Sequence, residues 1–246
     1  MNKTKQTILI TGGGSGIGLS IAKQFLNNDY NVIITGRNQE KLEKVKSELP
    51  NIYIEQSDVT NTNDAKVLSE KMANEFDGID ILMNNAGVMK IVNTGDESND
   101  LNNLLNEINI NFNSPIRMLH YFLPQLIKSA NGTLINVSSS LAYVPFVNAP
   151  IYSGTKSAVH SWTQAIRPQL KKQNIRVVEL LPPLTKSSLS KDAGFSNNKA
   201  MKPEELSEYF WKEFQKGKEE ILPGDSKSLK LMSKIFPNFI FKQVNK

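Results

Sequence analysis

The sequence predicts an α/β protein: a doubly wound parallel sheet of about seven strands, with helices on both faces. Short β-branched runs alternate with longer stretches of helical periodicity, as in consecutive βαβ units. The strand runs are apolar almost throughout, which is typical of strands covered by helices on both sides. Neither an internal repeat nor a linker interrupts the chain, so residues 1–246 are expected to form a single domain.

The expected elements follow one another along the whole chain. The strands are predicted at Thr7–Thr11, Asn31–Thr35, Ile52–Gln56, Ile79–Met83, Thr133–Val137, Ile175–Leu180 and Glu220–Leu222. The helices are predicted at Ile17–Asn28, Gln39–Glu48, Asn63–Phe76, Ile108–Ser129, Ile151–Gln173 and Pro203–Gly217. Two polar stretches remain: Asn93–Asn103 is predicted to be a surface connection, and Thr185–Lys202 a mobile loop over a site.

Composition restricts the class of protein. Apolar residues make up 39% of the chain and charged residues 22%, as in an ordinary globular domain. There is no cysteine, which excludes disulfides, thiolate catalysis and cysteine-held metals, and which fits a cytoplasmic location. No apolar stretch approaches the roughly 18–20 residues that a membrane-spanning helix requires.

The formal net charge is +5, and much of the excess lies in the segment 226–246. No nucleic-acid recognition motif accompanies this charge, so we expect no nucleic-acid partner. Apolar side chains of this basic C-terminal tail follow helical spacing, and Pro237 predicts two short helices rather than one. The tail could pack against the domain or a sister subunit, form a wall of the substrate pocket, or contact a membrane surface.

A glycine-rich turn, Gly12-Gly13-Gly14-Ser15-Gly16-Ile17-Gly18, follows the first predicted strand and opens a helix. Glycines at positions 12, 16 and 18 let the backbone turn tightly, approach a pyrophosphate and pack helix against strand. The helix N-terminus favours the bound anion. The turn therefore predicts a Rossmann-type dinucleotide site, although such turns also occur for packing alone. The expected contacts are Gly12, Ser15, Gly16, Ile17 and Gly18.

The second predicted strand leads into Thr35-Gly36-Arg37-Asn38. NAD-preferring sites usually carry an acidic side chain here, which holds the adenine ribose hydroxyls. A carboxylate would repel a 2′-phosphate, whereas a guanidinium can bind it in a charge-assisted fork. Arg37 therefore predicts NADP(H) in preference to NAD(H); the alternative is an ordinary surface arginine.

Two further motifs follow the third and fourth predicted strands, where ligands bind in open α/β sheets. They are Asp58-Val59 and Asn84-Asn85-Ala86-Gly87. Either motif alone could be turn chemistry. As cofactor contacts we take Asp58, Val59, Asn85, Ala86 and Gly87.

Tyr152 and Lys156 are four residues apart on a predicted helix, so they share one face. A free phenol, with a pKa of about 10, is a poor base at neutral pH. A nearby ammonium favours the phenolate and would move the pKa of Tyr152 toward the operating range of an acid/base catalyst. Alone, such a pair is usually inert.

Here the pair occurs with other motifs, in one order: the glycine turn, Asn84–Gly87, Asn111, Ser139 and Tyr152/Lys156. This set resembles the short-chain dehydrogenase/reductase family, over nearly the whole chain from Thr7 to about Gly224. The resemblance implies hydride transfer between nicotinamide and a small carbonyl or alcohol. It also implies a homodimer or homotetramer, formed through the helices around Asn111 and Tyr152.

The resemblance implies a role for each site residue. Tyr152 would pass a proton to or from the substrate oxygen, and Lys156 would hold the nicotinamide ribose and lower the phenol pKa. Ser139 would hydrogen-bond the substrate oxygen, and Asn111 would position a water that links the lysine to solvent.

Two of these residues have neighbours of the same type. Ser139 is chosen over Ser138 and Ser140 because the family usually places its serine about thirteen positions before the tyrosine, and because Ser138 would point to the opposite side of a strand. Asn111 is chosen over Asn109 and Asn113 because the segment from 111 to 115 looks like the family's asparagine-containing helix.

The segment after the sixth predicted strand departs from the family pattern. Pro183 replaces a usual glycine after Pro182, while Thr185 and Ser187 fall where the family has a Val and a Thr. Pro182 and Thr185 are still expected to contact the cofactor, but the departure puts the carboxamide contacts in doubt. The double proline, with Pro-Ile-Arg at 115–117, looks like the branch called DltE-type oxidoreductases, named for their association with D-alanylation genes.

The two histidines, His120 and His160, are predicted to lie on the surface or to pack on helices rather than bind a metal, because no carboxylates are seen to converge on them. Trp162 and Trp211 are read as core or interface residues. The function expected is therefore NADP(H)-dependent reduction of an aldehyde or ketone, or its reverse. The alternative is a nucleotide-binding accessory or scaffold protein without turnover, linked to cell-envelope metabolism.

Overall fold

The structure is a computed structural model that describes residues 5–187, 189–190 and 200–246. Its strands are β1 Thr7–Thr11, β2 Asn31–Gly36, β3 Tyr53–Gln56, β4 Ile81–Asn84, β5 Thr133–Val137, β6 Arg176–Leu180 and β7 Glu220–Ile221. Its α-helices are α1 Gly16–Leu26, α2 Gln39–Glu48, α3 Thr62–Phe76, α4 Leu101–Ile108, α5 Ser114–Lys128, α6 Pro150–Lys171, α7 Pro203–Gln215, α8 Ser226–Ile235 and α9 Pro237–Val244.

All seven strands form one parallel sheet in the order β3-β2-β1-β4-β5-β6-β7. The predicted doubly wound fold is therefore confirmed. The strand order reverses between β1 and β4. In open α/β sheets a ligand crevice opens at this reversal, beyond the carboxyl ends of the strands.

Each face of the sheet has its own apolar core. Ile8 and Ile10 of β1 join Phe25 of α1 and Phe210 of α7 on one face. Leu9 points the other way and joins a second cluster with residues of α3 and α5. This alternation follows the period of two along a strand, so the near-continuous apolar runs are buried on both sides. Trp211 and Trp162 pack against the first and the second cluster, as expected.

The helix predicted at Ile108–Ser129 is confirmed over Ser114–Lys128 but is wrong over Asn109–Asn113. An α-helix already begins at Leu101, inside the predicted surface connection, because Asp100 caps it by accepting from the Asn102 amide at 3.0 Å. Over Asn109–Asn113 the chain then widens into a π-helical turn. Pro115 explains the widening, because a proline has no amide hydrogen and clashes with the carbonyl four residues earlier.

The C-terminal tail forms two short helices that meet at Pro237, as predicted. Part of the predicted loop Thr185–Lys202 lies outside the described residues, namely residue 188 and residues 191–199. In its described part, Thr185 forms a parallel bridge with Met201. None of the described helices combines the length and apolarity that crossing a bilayer would take.

Candidate active site

A cleft of about 440 Å³ lies at the carboxyl ends of the strands. Every residue predicted to contact the cofactor lines it: Gly12, Ser15, Gly16, Ile17, Gly18, Arg37, Asp58, Val59, Asn85, Ala86, Gly87, Tyr152, Lys156, Pro182 and Thr185. Ser139 lines it as well, whereas Asn111 lies behind the wall and is 1% exposed. Residues from distant parts of the chain are thus brought to one surface.

The glycine turn is packed so closely that side chains would not fit. Gly12 has φ +65°, and a Cβ there would lie 2.9 Å from the Cα of Ala86. A Cβ on Gly18 would lie 2.5 Å from Nδ2 of Asn85 and 2.7 Å from the Gly12 carbonyl oxygen. The turn and the start of α1 therefore present bare backbone to the cleft, as a pyrophosphate site requires.

The segment after β4 braces this turn. The Asn85 side chain donates to the carbonyl oxygens of Thr11 and Gly12 at 2.9 and 3.1 Å. The Thr11 hydroxyl oxygen accepts from the amides of Asn85 and Ala86 at 3.0 and 3.1 Å. The Asn85 side chain therefore holds the end of β1 against the segment after β4. Its contribution to ligand binding is to fix the shape of the glycine turn.

Asp58 serves a local turn as well as the cleft. One of its carboxylate oxygens accepts from both the amide and the hydroxyl of Thr60, each at 2.8 Å. The Val59 carbonyl accepts from Arg117 at 2.8 Å, which fixes this corner against α5. Asp58 therefore stabilises a local turn, which was the alternative interpretation of this motif, and it also lines the cleft.

Arg37 lies exposed on the rim of the cleft, just beyond β2. Within the described parts of the chain its guanidinium makes no hydrogen bond or ion pair, while its backbone carbonyl accepts from Gln56 at 2.9 Å. The next residue, Asn38, is used to cap α2 by accepting from the Lys41 amide. A positive group thus faces the cleft where NAD-preferring sites hold a carboxylate.

Tyr152, Lys156 and Ser139 come together at the centre of the cleft. The Lys156 ammonium lies 5.6 Å from the centre of the Tyr152 ring and donates to the Val137 carbonyl at 2.9 Å. The Ser139 hydroxyl lies beside the phenol of Tyr152, close enough to lower its pKa. All three side chains are buried. A substrate oxygen at this point could meet a phenol and a hydroxyl together.

The charge states of this pair differ from the sequence expectation. Burial raises the pKa of Tyr152 to about 12, against the lowering effect of the Ser139 hydroxyl. Burial also lowers the pKa of Lys156 to about 8. Desolvation, and not the ammonium of Lys156, therefore has the largest influence on the phenol pKa, which rises where a lowering was expected. At neutral pH the phenol is protonated and can act as a proton donor.

The three consecutive serines have different surroundings. Ser138 turns into the interior, where its hydroxyl donates to Glu179 at 2.5 Å. Ser139 faces Tyr152, and its hydroxyl oxygen accepts from the Leu141 amide at 3.1 Å. The strand alternation used to choose Ser139 over Ser138 therefore agrees with the geometry.

Asn111 lies in the π-helical turn and is fully engaged with the chain itself. Its side chain donates to the Val88 carbonyl at 2.8 Å and to the Thr155 hydroxyl at 3.1 Å, and it accepts from the Val88 amide at 2.9 Å. Its oxygen and the Lys156 ammonium both lie close to Gly87. The neighbouring Asn113 is exposed, in line with the choice of Asn111.

The segment after β6 forms one wall of the cleft. The Pro182 carbonyl accepts from the Ser140 amide at 2.9 Å, and the Thr185 hydroxyl donates to the Pro183 carbonyl at 2.9 Å. Ser187 comes close to Gly16 and also lines the cleft. Because the Thr185 hydroxyl donates its hydrogen to the backbone of its own segment, Thr185 lines the cleft without donating a hydrogen bond into it.

The sequence reading did not assign Leu229 of α8 and Val244 of α9 to the site, yet both line the cleft. The tail therefore forms part of the pocket wall, one of the three possibilities considered for it. The Asn245 side chain fixes this arrangement by accepting from the Val147 amide at 2.7 Å and donating to the Pro145 carbonyl at 3.0 Å. The amphipathic spacing of the tail was the only signal available.

His160 corrects one expectation, because carboxylates do converge on it. Its Nδ1 lies 2.9 Å from a carboxylate oxygen of Glu179. A ring nitrogen of His160 and one carboxylate oxygen each of Glu179 and Glu220 lie within 4.8 Å of one another. These carboxylates already have partners: Glu179 accepts from Ser138, and Glu220 accepts from Tyr143 and Lys230. His160 thus belongs to a network that ties α6 and β6 to the tail. His120 is exposed, as expected.

Comparison with known proteins agrees with this geometry. The short chain dehydrogenase family profile matches residues 6–197. The chain is 33% identical over 248 residues to DltE of Bacillus subtilis (strain 168), described as an uncharacterized oxidoreductase, with 100% of this chain and 98% of that protein covered.

Two solved structures show the likeness in three dimensions. A short chain dehydrogenase from Burkholderia cenocepacia in complex with NADP has a TM-score of 0.85 at 20% identity, with 100% of both chains covered. A 3-ketoacyl-(acyl-carrier-protein) reductase from Brucella melitensis complexed with NADH has a TM-score of 0.76 at 28% identity, covering 82% of this chain and 88% of that one.

Proposed function

Because the chain belongs to the short-chain dehydrogenase family, and to its DltE-type branch, we propose that it is an NADP(H)-dependent reductase of a small carbonyl compound. Membership already makes it an NAD(P)-dependent oxidoreductase. The finer proposal adds the preference for NADP(H), the reductive direction and Tyr152 as the acid/base. The observation that carries it is the position of Tyr152 beside Lys156 and Ser139, in a cleft whose rim holds an unpaired guanidinium.

The residues present fit a dinucleotide. The glycine turn leaves room for a pyrophosphate against the N-terminus of α1, since a Cβ at Gly12 or Gly18 would collide with the segment after β4. The guanidinium of Arg37 has no partner among the described residues, and a 2′-phosphate would supply one. Related structures contain NADP in one case and NADH in another, so preference has to be decided by the rim of this particular cleft.

Each site residue then has a definite task. When bound, the nicotinamide cofactor supplies the hydride. Tyr152, protonated at neutral pH, donates its proton to the carbonyl oxygen as negative charge develops there. Ser139 donates a hydrogen bond to the same oxygen, and Lys156 provides the positive charge that stabilises the phenolate left behind.

The substrate side of the cleft is mainly apolar. Met89, Leu141, Phe146, Leu229 and Val244 line it, from the segments after β4 and β5 and from the tail. This lining fits a small carbonyl or alcohol with an apolar substituent.

We also propose a homodimer or homotetramer in the cytoplasm, built through the helices around Asn111 and Tyr152. Exposed Leu101 and Leu105 on α4 support such a contact, and the absence of cysteine suits a reducing compartment. Contact of the basic tail with a membrane surface remains a less favoured prediction.

The test is calorimetric binding of NADPH and NADH to the wild type and to Arg37→Ala. Losing one charged phosphate contact should weaken NADPH binding by roughly tenfold to a hundredfold, leaving NADH unchanged. Lys44→Ala is the matched control, because Lys44 is an exposed cation on α2 that does not line the cleft.

The outcomes separate the competing functions. A preference for NADPH that Arg37→Ala removes supports the proposal, and a carbonyl screen against Tyr152→Phe follows. Equal binding of NADH makes Arg37 an ordinary surface arginine. Binding without turnover on any carbonyl or alcohol would favour the non-catalytic accessory protein, although the relatives are described as oxidoreductases.

A further inference from the structure

Glu107 is a completely buried acid that the proposed mechanism does not use. It lies near the end of α4, four residues before Asn111, and its side chain is 0% exposed. Neither of its carboxylate oxygens has a hydrogen-bond partner of normal geometry among the described residues. Burial without a hydrogen-bond partner strongly disfavours the ionised form of a carboxyl group. The charged groups near Glu107 therefore influence whether it is ionised.

Glu107 lies where α4 packs against α6, one turn before Asn111, whose side chain bonds Thr155 next to Lys156. Two lysines influence its charge, and one of them, Lys156, lines the cleft. They are Lys90, through its backbone amide and its ammonium, and the ammonium of Lys156. In return, Glu107 acts on both Lys156 and Tyr152. Neither α4 nor the π-helical turn contributes any other charged residue. The titratable groups linked electrostatically to Glu107 are therefore Lys90, from the segment after β4, and Lys156 and Tyr152, from α6.

The direction of each influence is clear. An ionised Glu107 raises the pKa of Lys156, against the lowering by burial, and raises the pKa of Tyr152. It therefore favours the ammonium on one and the protonated phenol on the other. Burial in turn raises the pKa of Glu107 to about 7, against the opposing effect of Lys90 and Lys156. Its charge thus changes in the pH range where enzymes usually work.

We propose that Glu107 is a positioning residue: from behind the cleft wall, its buried carboxyl helps to hold the protons on the Tyr152–Lys156 pair. It touches neither substrate nor cofactor. Ionised, it favours the protonated phenol on Tyr152 and the ammonium on Lys156, the forms that reduction needs. When Glu107 takes up a proton, this support is lost and both partners hold their protons less tightly. The importance of this control rests on the proposed function, but the charge coupling itself can be measured without turnover.

The first experiment is an ultraviolet titration of the phenol. The Tyr152 signal is isolated by subtracting, from each protein, the same protein carrying Tyr152→Phe. In Glu107→Gln the pKa of Tyr152 should fall by about one unit, because a nearby negative charge has been removed. Glu107→Asp should retain most of the wild-type value. Glu55→Gln is the control, since Glu55 is a partly buried carboxylate paired with Lys71 at the far edge of the sheet.

The second experiment follows Glu107 directly, by the infrared carbonyl stretch of a protonated carboxylic acid. Wild-type protein should lose one such band as the pH rises through about 7, and Glu107→Gln should lack it. The pH dependence of the free energy of unfolding provides an independent check of this raised pKa. A folded-state pKa above the unfolded value of 4.5 makes wild type lose stability relative to Glu107→Gln as pH rises from 4.5 to about 7.

The proposal is overturned if Glu107→Gln leaves the Tyr152 titration unchanged, or if no carboxyl titrates near neutral pH in the wild type. If Glu107→Gln does not fold, the band in the wild type and its shift in Glu107→Asp decide the matter. Failure of the proposed function looks different: the titrations shift as expected, but no carbonyl compound is turned over.

Discussion

At the scale of single residues, Ser138 and Ser139 show how one backbone step separates structure from chemistry. Ser138 supplies the buried Glu179 with a hydrogen bond, and Ser139 faces the phenol of Tyr152. Their side chains have the same composition and nearly the same exposure, 2% and 7%. Different consequences of removing each hydroxyl must therefore come from where it points.

We predict that Ser138→Ala lowers the free energy of unfolding by about 1–3 kcal/mol, because it takes a donor from a buried carboxylate. Ser139→Ala should cost no more than about 1 kcal/mol, since it loses a bond to one backbone amide. Turnover should respond in the opposite order, with kcat/KM falling roughly tenfold or more in Ser139→Ala alone. Denaturant titration and a carbonyl assay measure both. A loss of turnover confined to Ser138→Ala would reverse the assignment.

At the scale of elements, the tail acts through two faces of one short helix. Leu229 of α8 lines the cleft, whereas Leu231 on the same helix is 57% exposed. Lys230 fastens the helix to the domain through Glu220, and Tyr143 contacts the same carboxylate. An element that looks like an appendage in the sequence is therefore a wall of the site.

Leu229→Ala should raise the KM for an apolar carbonyl substrate by up to about fiftyfold, because the three carbon atoms removed from this partly buried side chain are worth at most roughly 0.8 kcal/mol each when a substrate covers them. The dissociation constant for NADPH should stay the same. Leu231→Ala, on the outer face, should change neither value. Steady-state kinetics and calorimetry check this, and equal effects of the two substitutions would remove α8 from the substrate pocket.

How far the sequence predicts these elements depends on where the information lies. Gly12 and Gly18 are readable because their chemistry is local: a turn that admits no Cβ needs glycine wherever it occurs. The burial of Glu107 could not be read, because α4 packs against α6, which comes much later in the chain. The start of α4 at Leu101 was hidden by an asparagine-rich segment, where only the cap at Asp100 pointed to a helix.

At the scale of the whole molecule, the sheet brings the site together and leaves apolar side chains outside. On α4, Leu101 is 63% exposed and Leu105 52%. Ile116 of α5 is also exposed, at 40%. Apolar patches of this kind commonly mark a protein–protein contact. They lie on the helices next to Asn111, where the family resemblance predicts the subunit interface.

We therefore expect light scattering coupled to size-exclusion chromatography to give the mass of a dimer or tetramer. Leu105→Glu should shift the protein toward smaller species, because it places a charge in an apolar contact. Val67→Glu is the matched control: Val67 is equally exposed, at 52%, but lies on α3. A wild-type protein that is monomeric at all concentrations would refute the predicted assembly.

The exposed outer face of α8 has a practical consequence, because the chain has no cysteine. A single Leu231→Cys substitution would therefore create the only thiol in the protein, two residues from a side chain that lines the cleft. A fluorescent dye attached there would report selectively on this helix. Entry of a ligand beneath Leu229 could then be followed as a change in light emission, without knowing in advance which carbonyl compound the enzyme prefers.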